Sequence, residues 1–208
     1  MPLVRKPTAP AASADPDAAD VLQALSSADP DVRWAAARAA AAVAGGSQAL
    51  AAALRTETEP QVREALFTSL ARIGSTHSTG EMIGFLRSDE SVLRAGALDA
   101  LRTLGVEVRE ILPQLLMDSD ADIRILSCEL ARGLPTDEAS AALCALLAQE
   151  PDVNVCAAAI DVLAEVGGSG AGAALAQCAA RFPHSAFLAF AVKTASNRIH
   201  SASAPPRD

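Results

Sequence analysis

The chain has 208 residues, with 17 Lys and Arg against 25 Asp and Glu, for a formal net charge of −8 and a pI near 4.9. That balance argues against nucleic acid as a partner, because neutralisation of phosphate by Lys and Arg dominates such affinity. No charge-free run of roughly 18 apolar residues occurs, so no membrane span is expected, and Arg5 and Lys6 are not followed by the apolar stretch of a secretory signal. Hydrophobic content is 50% but aromatic content only 3%, with one Trp and no Tyr. Helix contacts must therefore rest on Ala, Leu, Val and Ile, and Ala is the strongest helix former.

In chain order, residues 1–15 are rich in Pro and Ala without helical periodicity and read as a flexible N-terminal arm. Residues 16–200 read as an array of twelve helices in six pairs. The first helix of each pair, A, is expected at about 16–26, 47–56, 77–87, 107–117, 136–149 and 169–182. The second, B, is expected at about 31–44, 60–73, 90–104, 120–133, 151–166 and 185–199. Residues 201–208 (SASAPPRD) read as a flexible tail.

The pairing rests on an internal repeat. ADPDVRW at 28–34 is echoed by TEPQVRE at 58–64, DESVLRA at 89–95, DADIRIL at 120–126 and EPDVNVC at 150–156. The β-branched anchors Val32, Val62, Val92, Ile123 and Val153 follow one another at 30, 30, 31 and 30 residues. An Ala-rich apolar stretch after each anchor stops at Gly45, Gly74, Gly105, Gly133 or Gly167, where a left-handed cap is expected. Pro30, Pro60 and Pro151 stand at or near the first turn of a B helix, where a missing N–H costs nothing. Ser47, Thr136 and Ser169 are candidate N-caps for the following A helices. Pro113, inside the fourth A helix, should kink it or mark its true first turn. One helix pair cannot bury both of its apolar stripes, so neighbours must stack. The last pair lacks the anchor and carries Phe182, Phe187, Leu188, Phe190 and Val192 instead. They read either as a divergent closing cap or as an exposed aromatic patch for a partner.

An acidic loop, a β-branched residue, an Arg opening helix B and a Gly-ended Ala/Leu helix at this period resemble HEAT-like repeats, in the short bacterial form also found in phycobilin lyases. The resemblance covers about residues 16–183. It implies an all-α fold, a right-handed α-solenoid of about six HEAT-like helix pairs, with B helices lining the concave surface. Arg33, Arg63, Arg94 and Arg124 match the repeated Arg, with Arg94 shifted by one. The resemblance implies a structural ladder in which this Arg pairs with an acid of the neighbouring loop, and Asp31, Asp120, Asp122 and Asp152 are the candidates. Asn154 departs from the pattern, so the fifth rung should be missing.

A second register, Arg72, Arg102 and Arg132, recurs near the C-terminal ends of B helices, where the helix dipole favours positive charge. Stacking would align these three along the groove beside acids such as Asp99 and Glu129. Trp34 and Arg38 lie on the first B helix; Trp34 reads either as packed against the N-terminal arm or the first interhelical layer, since Trp is usually largely buried, or as a binding hot spot, where Trp and Arg are enriched. The candidate partner-binding residues are therefore Trp34, Arg38, Arg72, Asp99, Arg102, Glu129 and Arg132.

No catalytic residues are found, and neither a metal nor a cofactor is expected. His77, His184 and His200 lack metal-ligand spacing. The glycine-rich turn at 167–172 lacks the Lys of a phosphate loop. Cys128, Cys144, Cys156 and Cys178 form no CxxC pair and read as small buried thiols in a reducing compartment; a disulfide would need two of them facing each other between layers. The Ala- and Arg-rich, Lys-poor usage, with Lys193 alone in the repeat region, suggests a GC-rich bacterial genome, and the cysteine reading a cytoplasmic protein. The expected function is a non-catalytic adaptor or scaffold that binds a protein through its concave surface. Alternatives implied by the resemblance are a phycobilin-lyase-like enzyme acting on a partner protein and, against the charge, a HEAT-like DNA glycosylase.

Overall fold

The computed structural model describes residues 17–168 and 170–202. Among them stand twelve α-helices, one 3-10 turn and no strand. The A helices are α1 (Ala18–Ala24), α3 (Gly46–Leu54), α5 (Thr76–Phe85), α7 (Val106–Leu115), α9 (Thr136–Gln149) and α11 (Ala171–Arg181). The B helices are α2 (Pro30–Ala40), α4 (Pro60–Ile73), α6 (Ser91–Arg102), α8 (Ala121–Leu130), α10 (Val153–Val166) and α12 (Ala186–Ala202). The 3-10 turn at Ala131–Gly133 prolongs α8. The arm at 1–15 and residues 203–208 lie outside the described residues, whereas Ser201 and Ala202 end α12 rather than begin the expected tail.

The helices form the expected solenoid of pairs. Each B helix packs on the next along the whole row from α2 to α12, while neighbouring A helices pack closely only as α3 on α5 and α9 on α11. A row in continuous contact beside a splayed one places the B helices on the concave side. Between the rows lies a continuous core. Leu50, Leu66, Leu70, Met82, Leu101, Ile123, Leu143 and Leu147 are buried there, each worth about 1.5–3 kcal/mol relative to exposure. Ala37, Ala40, Ala97 and Ala159 are fully enclosed and let the helices approach.

The buried set corrects the repeat register. Val62, Leu93 and Ile123 are sealed in the core, whereas Val92 is 50% exposed. Leu93, not Val92, is thus the third anchor, and each of Val62, Leu93 and Ile123 directly precedes its Arg. Arg94 then sits in register, since Arg33, Arg63, Arg94 and Arg124 follow one another at 30, 31 and 30 residues, the same steps as the anchors before them. Val32 is also exposed, because no repeat precedes it among the described residues.

Helix starts follow the capping residues. Asp29, Asp120 and Asp152 each accept the backbone N–H two positions on, at 2.9, 2.9 and 2.7 Å. Pro30 and Pro60 occupy the first helical position. Other expected caps differ. Gly45 rather than Ser47 precedes α3, and Pro135 rather than Thr136 precedes α9. Ser169 lies outside the described residues. Only Gly45 (φ 77°) and Gly74 (φ 57°) adopt the left-handed conformation among the described residues. Gly105 and Gly167 have φ of −89° and −73°, so those helices end without that cap. Pro113 lies well inside α7, not in its first turn, and leaves the Arg109 carbonyl without its helical N–H partner. On α12, Leu188, Ala195 and Ile199 are buried, while Phe187 and Phe190 are 64% and 70% exposed.

Candidate functional site

The concave face divides into an open part and a closed part. The open part begins on α2. Trp34 is 40% exposed, and Arg38, one turn on, lays its guanidinium 4.6 Å from the ring centroid. At this distance the guanidinium is in cation–π contact with the indole. From α4, Arg72 donates to the Arg38 carbonyl. These three side chains surround a cavity of about 540 Å³ between α2 and α4, completed by Gln61, Glu64, Ala65, Thr68 and Ser69.

A second cavity of about 770 Å³ lies between α4 and α6. It shares Glu64, Thr68 and Arg72 with the first, so the two form one groove. Phe67, Ala71, Val92, Ala95, Gly96 and Ala100 make its apolar lining, with Arg63 and Asp99 beside them. Gly96 is required by packing: a Cβ there would lie 2.5 Å from Phe67 Cε2. The Phe67 ring also meets Phe85 edge-on, with centroids 5.6 Å apart, and so cannot retreat freely.

The closed part begins at α6. Arg102 reaches Asp99 at 3.2 Å and Glu129 at 2.8 Å. Arg132 reaches Glu129 at 2.9 Å, Asp161 at 2.8 Å and also Glu165. The hydrogen bond that Arg132 donates to Glu129 is the main cause that pushes its guanidinium further toward the charged form. Alternating charges thus tie α6 to α8 and α8 to α10. The structure brings Trp34, Arg38 and Arg72 together around one opening. It places Asp99, Arg102, Glu129 and Arg132 in an inter-repeat ladder whose charges satisfy one another. By contrast, none of Arg38, Arg63 and Arg72 has a carboxylate within ion-pair distance among the described residues.

The loop-side arginines form a different set. Arg33, Arg63, Arg94 and Arg124 donate to backbone carbonyls five or six residues back: Ser27, Glu57, Ser88 and Asp118 are among the acceptors. Each therefore pins the loop before its own helix. Two also clamp an acid of the next repeat. Arg33 grips Glu57 at 2.7 and 2.9 Å, and Arg124 grips Glu150 at 2.8 and 2.9 Å. The expected partners Asp31, Asp120, Asp122 and Asp152 do not serve, because Asp120 and Asp152 cap helices and the Arg fork reaches forward one repeat instead. The acid two residues ahead of the B-helix N-cap, Glu57 before Glu59 and Glu150 before Asp152, was the available signal. Position 88, equivalent to Glu57, is Ser, so Arg63 has no acid to clamp there, and the neighbouring Arg87 pairs onward with Asp118. Asn154 makes no such rung, and Arg181 donates instead to the Glu150 carbonyl at 2.6 Å.

Burial pushes the Cys128 and Cys156 thiols up to about 12, which leaves them protonated and inert. His77 meets only Glu81, at 3.8 Å. Among the described residues no three His, Cys, Asp or Glu side chains are grouped to hold a metal ion, and no helix is long and apolar enough to cross a membrane.

No protein-family model and no curated protein matches the chain. Solved structures do share its outline. The archaeal HEAT-like repeats protein from Thermococcus onnurineus is 14% identical, with 90% of this chain and 88% of that one covered and a TM-score of 0.47. A designed armadillo repeat protein is 14% identical, with 86% and 98% covered and a TM-score of 0.39. The complex of CpcE and CpcF of phycocyanin lyase from a Nostoc species gives 16% identity, 95% and 100% coverage and a TM-score of 0.38.

Proposed function

We propose that the chain is a non-catalytic binding module that holds a segment of a partner protein in the groove formed by α2, α4 and α6. One observation carries the reading: an exposed Trp34 and arginines without acid partners line a joined cavity, on a concave face that is elsewhere closed by its own ion pairs. Trp and Arg at a concave apolar surface are the usual anchors of protein recognition. A net charge of −8 favours protein over nucleic acid as the partner.

The test is site-specific photo-crosslinking in cells of the source organism. A crosslinker at Thr68, in the groove, is compared with one at Met117, which is 74% exposed outside it. Adducts formed from Thr68 but not Met117, and lost when Trp34→Ala and Arg72→Glu are added, are expected. Adducts that survive both substitutions would move the binding surface elsewhere.

A further inference from the structure

We infer that the occupant of this groove is an acidic peptide segment carrying a bulky apolar residue about three positions from an acid. The inference rests on the binding-module reading above and specifies its partner. Charge comes first. Acids outnumber bases in this chain, 25 to 17, yet Arg38, Arg63 and Arg72 have no carboxylate partner, and all three line the groove. The opposing charges there are Glu64 and Asp99, and Asp99 is already engaged by Arg102. Among the described residues the groove thus presents three guanidinium groups whose charge no carboxylate offsets, two of them held by backbone carbonyls, against the single unpaired carboxylate of Glu64. The surrounding negative charge does not cancel this, since exposed charges separated by more than about 8 Å are largely screened at physiological ionic strength.

Geometry comes second. Arg38 sits over Trp34 and spends none of its guanidinium N–H groups on a carboxylate among the described residues, so they can donate to a carboxylate that enters the opening. Arg72, held by the Arg38 carbonyl, presents a second fork to the same opening. The apolar lining around Phe67 and Gly96 belongs to the next inter-helix gap. Packed helices stand roughly 8–10 Å apart, and an extended peptide advances about 3.3 Å per residue. A strand crossing the B helices with an acid over Arg38 and Arg72 therefore brings its third following residue over the Phe67 cavity.

The test selects a phage-displayed random peptide library on the immobilised full chain. Enrichment of Asp- and Glu-rich sequences with that apolar spacing is expected. A labelled enriched peptide should bind the Arg38→Ala/Arg72→Ala double variant about tenfold or more weakly, since charge-assisted bonds are lost. Arg109→Ala, which removes a pair with Glu138 on the outer row, should bind as the parent does. Circular dichroism of each variant shows that the fold is kept. Enriched peptides that are neutral or basic, yet need Trp34, overturn the acidic occupant and leave the binding module standing. Acidic peptides indifferent to both arginines overturn the inference as well. Absence of any groove-dependent enrichment overturns the module and the inference together.

Discussion

Replacing Arg124 with Met isolates what one rung of the loop ladder contributes. Glu150 is 2% exposed, and Arg124 supplies two of its hydrogen bonds, at 2.8 and 2.9 Å. Without the guanidinium, the carboxylate keeps the N–H of Asp152, at 2.9 Å, and little else that is positive. The loop carbonyls of Asp118 and Ser119 lose their donor too. Breaking one partner out of a buried pair costs about 3–5 kcal/mol, because the charge left behind is desolvated and uncompensated. For a chain of this size each kcal/mol moves the melting temperature by about 2–4 °C, so a fall of about 6–20 °C is expected. The damage sits at the contact of α8 with α10. Urea denaturation followed by circular dichroism should show a lower midpoint, and hydrogen exchange should rise first in α10 and α12, since repeat arrays fail at their weakest interface. Arg124→Met combined with Glu150→Met removes both charges and should recover most of the loss. A cost below about 1 kcal/mol for the single variant, or no recovery in the double one, would refute the picture of a buried, dependent carboxylate.

Three further outcomes are expected. Gly96→Ala forces a Cβ to within 2.5 Å of Phe67, which Phe85 backs; overpacking of this kind costs about 1–3 kcal/mol, read as a lower urea midpoint. The Arg33 hydrogen bond holds the Glu57 carboxyl below its ordinary range, and Arg87 does the same for Asp118. Because the folded values are depressed, the unfolded chain takes up protons first on acidification. The stability is present above about pH 4 and is lost as pH falls through the folded values. Melts over that range should steepen in the parent and flatten in Glu57→Gln and Asp118→Asn; unchanged slopes would count against the assignment. Arg132→Gln leaves Glu129, Asp161 and Glu165 facing one another, and a network of partly exposed pairs of this kind is worth about 1–2 kcal/mol. That loss should shrink in 1 M salt, where charges are screened beyond about 3 Å.

Much of the fold was legible because its punctuation is chemical. The boundaries at 60–73 and 136–149 match α4 and α9 to the residue. Pro60 opens and Gly74 closes α4 with the expected geometry. Where Ala runs on without a stop, as after Ala40, the expected helix overran to 44 and hid the early end of α2. The third repeat offered two adjacent apolar residues, Val92 and Leu93, and only burial chose between them. The site was legible as residues but not as partners. Arg33 meets Glu57 across 24 positions, Arg124 meets Glu150 across 26 and Arg132 meets Asp161 across 29. These separations depend on how one repeat sits on the next, which no single motif encodes. That is why Arg72, Arg102 and Arg132, alike in spacing, part company in the structure.

The parting has a local cause. Three residues before Arg102 stands Asp99, and three before Arg132 stands Glu129; three before Arg72 stands Ser69. A carboxylate at that offset shares a helix face with the guanidinium and draws it into an ion pair, as the 3.2 and 2.9 Å contacts show. Arg72 has no such acid, turns to the Arg38 carbonyl, and remains at the groove's mouth. Arg72 also stands nine residues after Arg63, whereas Arg102 and Arg132 stand eight after Arg94 and Arg124, so it is turned by one residue on its helix, and the open groove follows from that turn together with the missing acid. Ser69→Asp should restore the acid. Ser69 is 2% exposed beside the first cavity, so the new carboxylate would be drawn toward Arg72 and lower the net positive charge of the opening. Affinity for an acidic peptide should fall several-fold, and Ser69→Ala should leave it unchanged. If both substitutions act alike, the loss comes from disturbed packing and not from charge, and the periodic acid does not set where the groove opens.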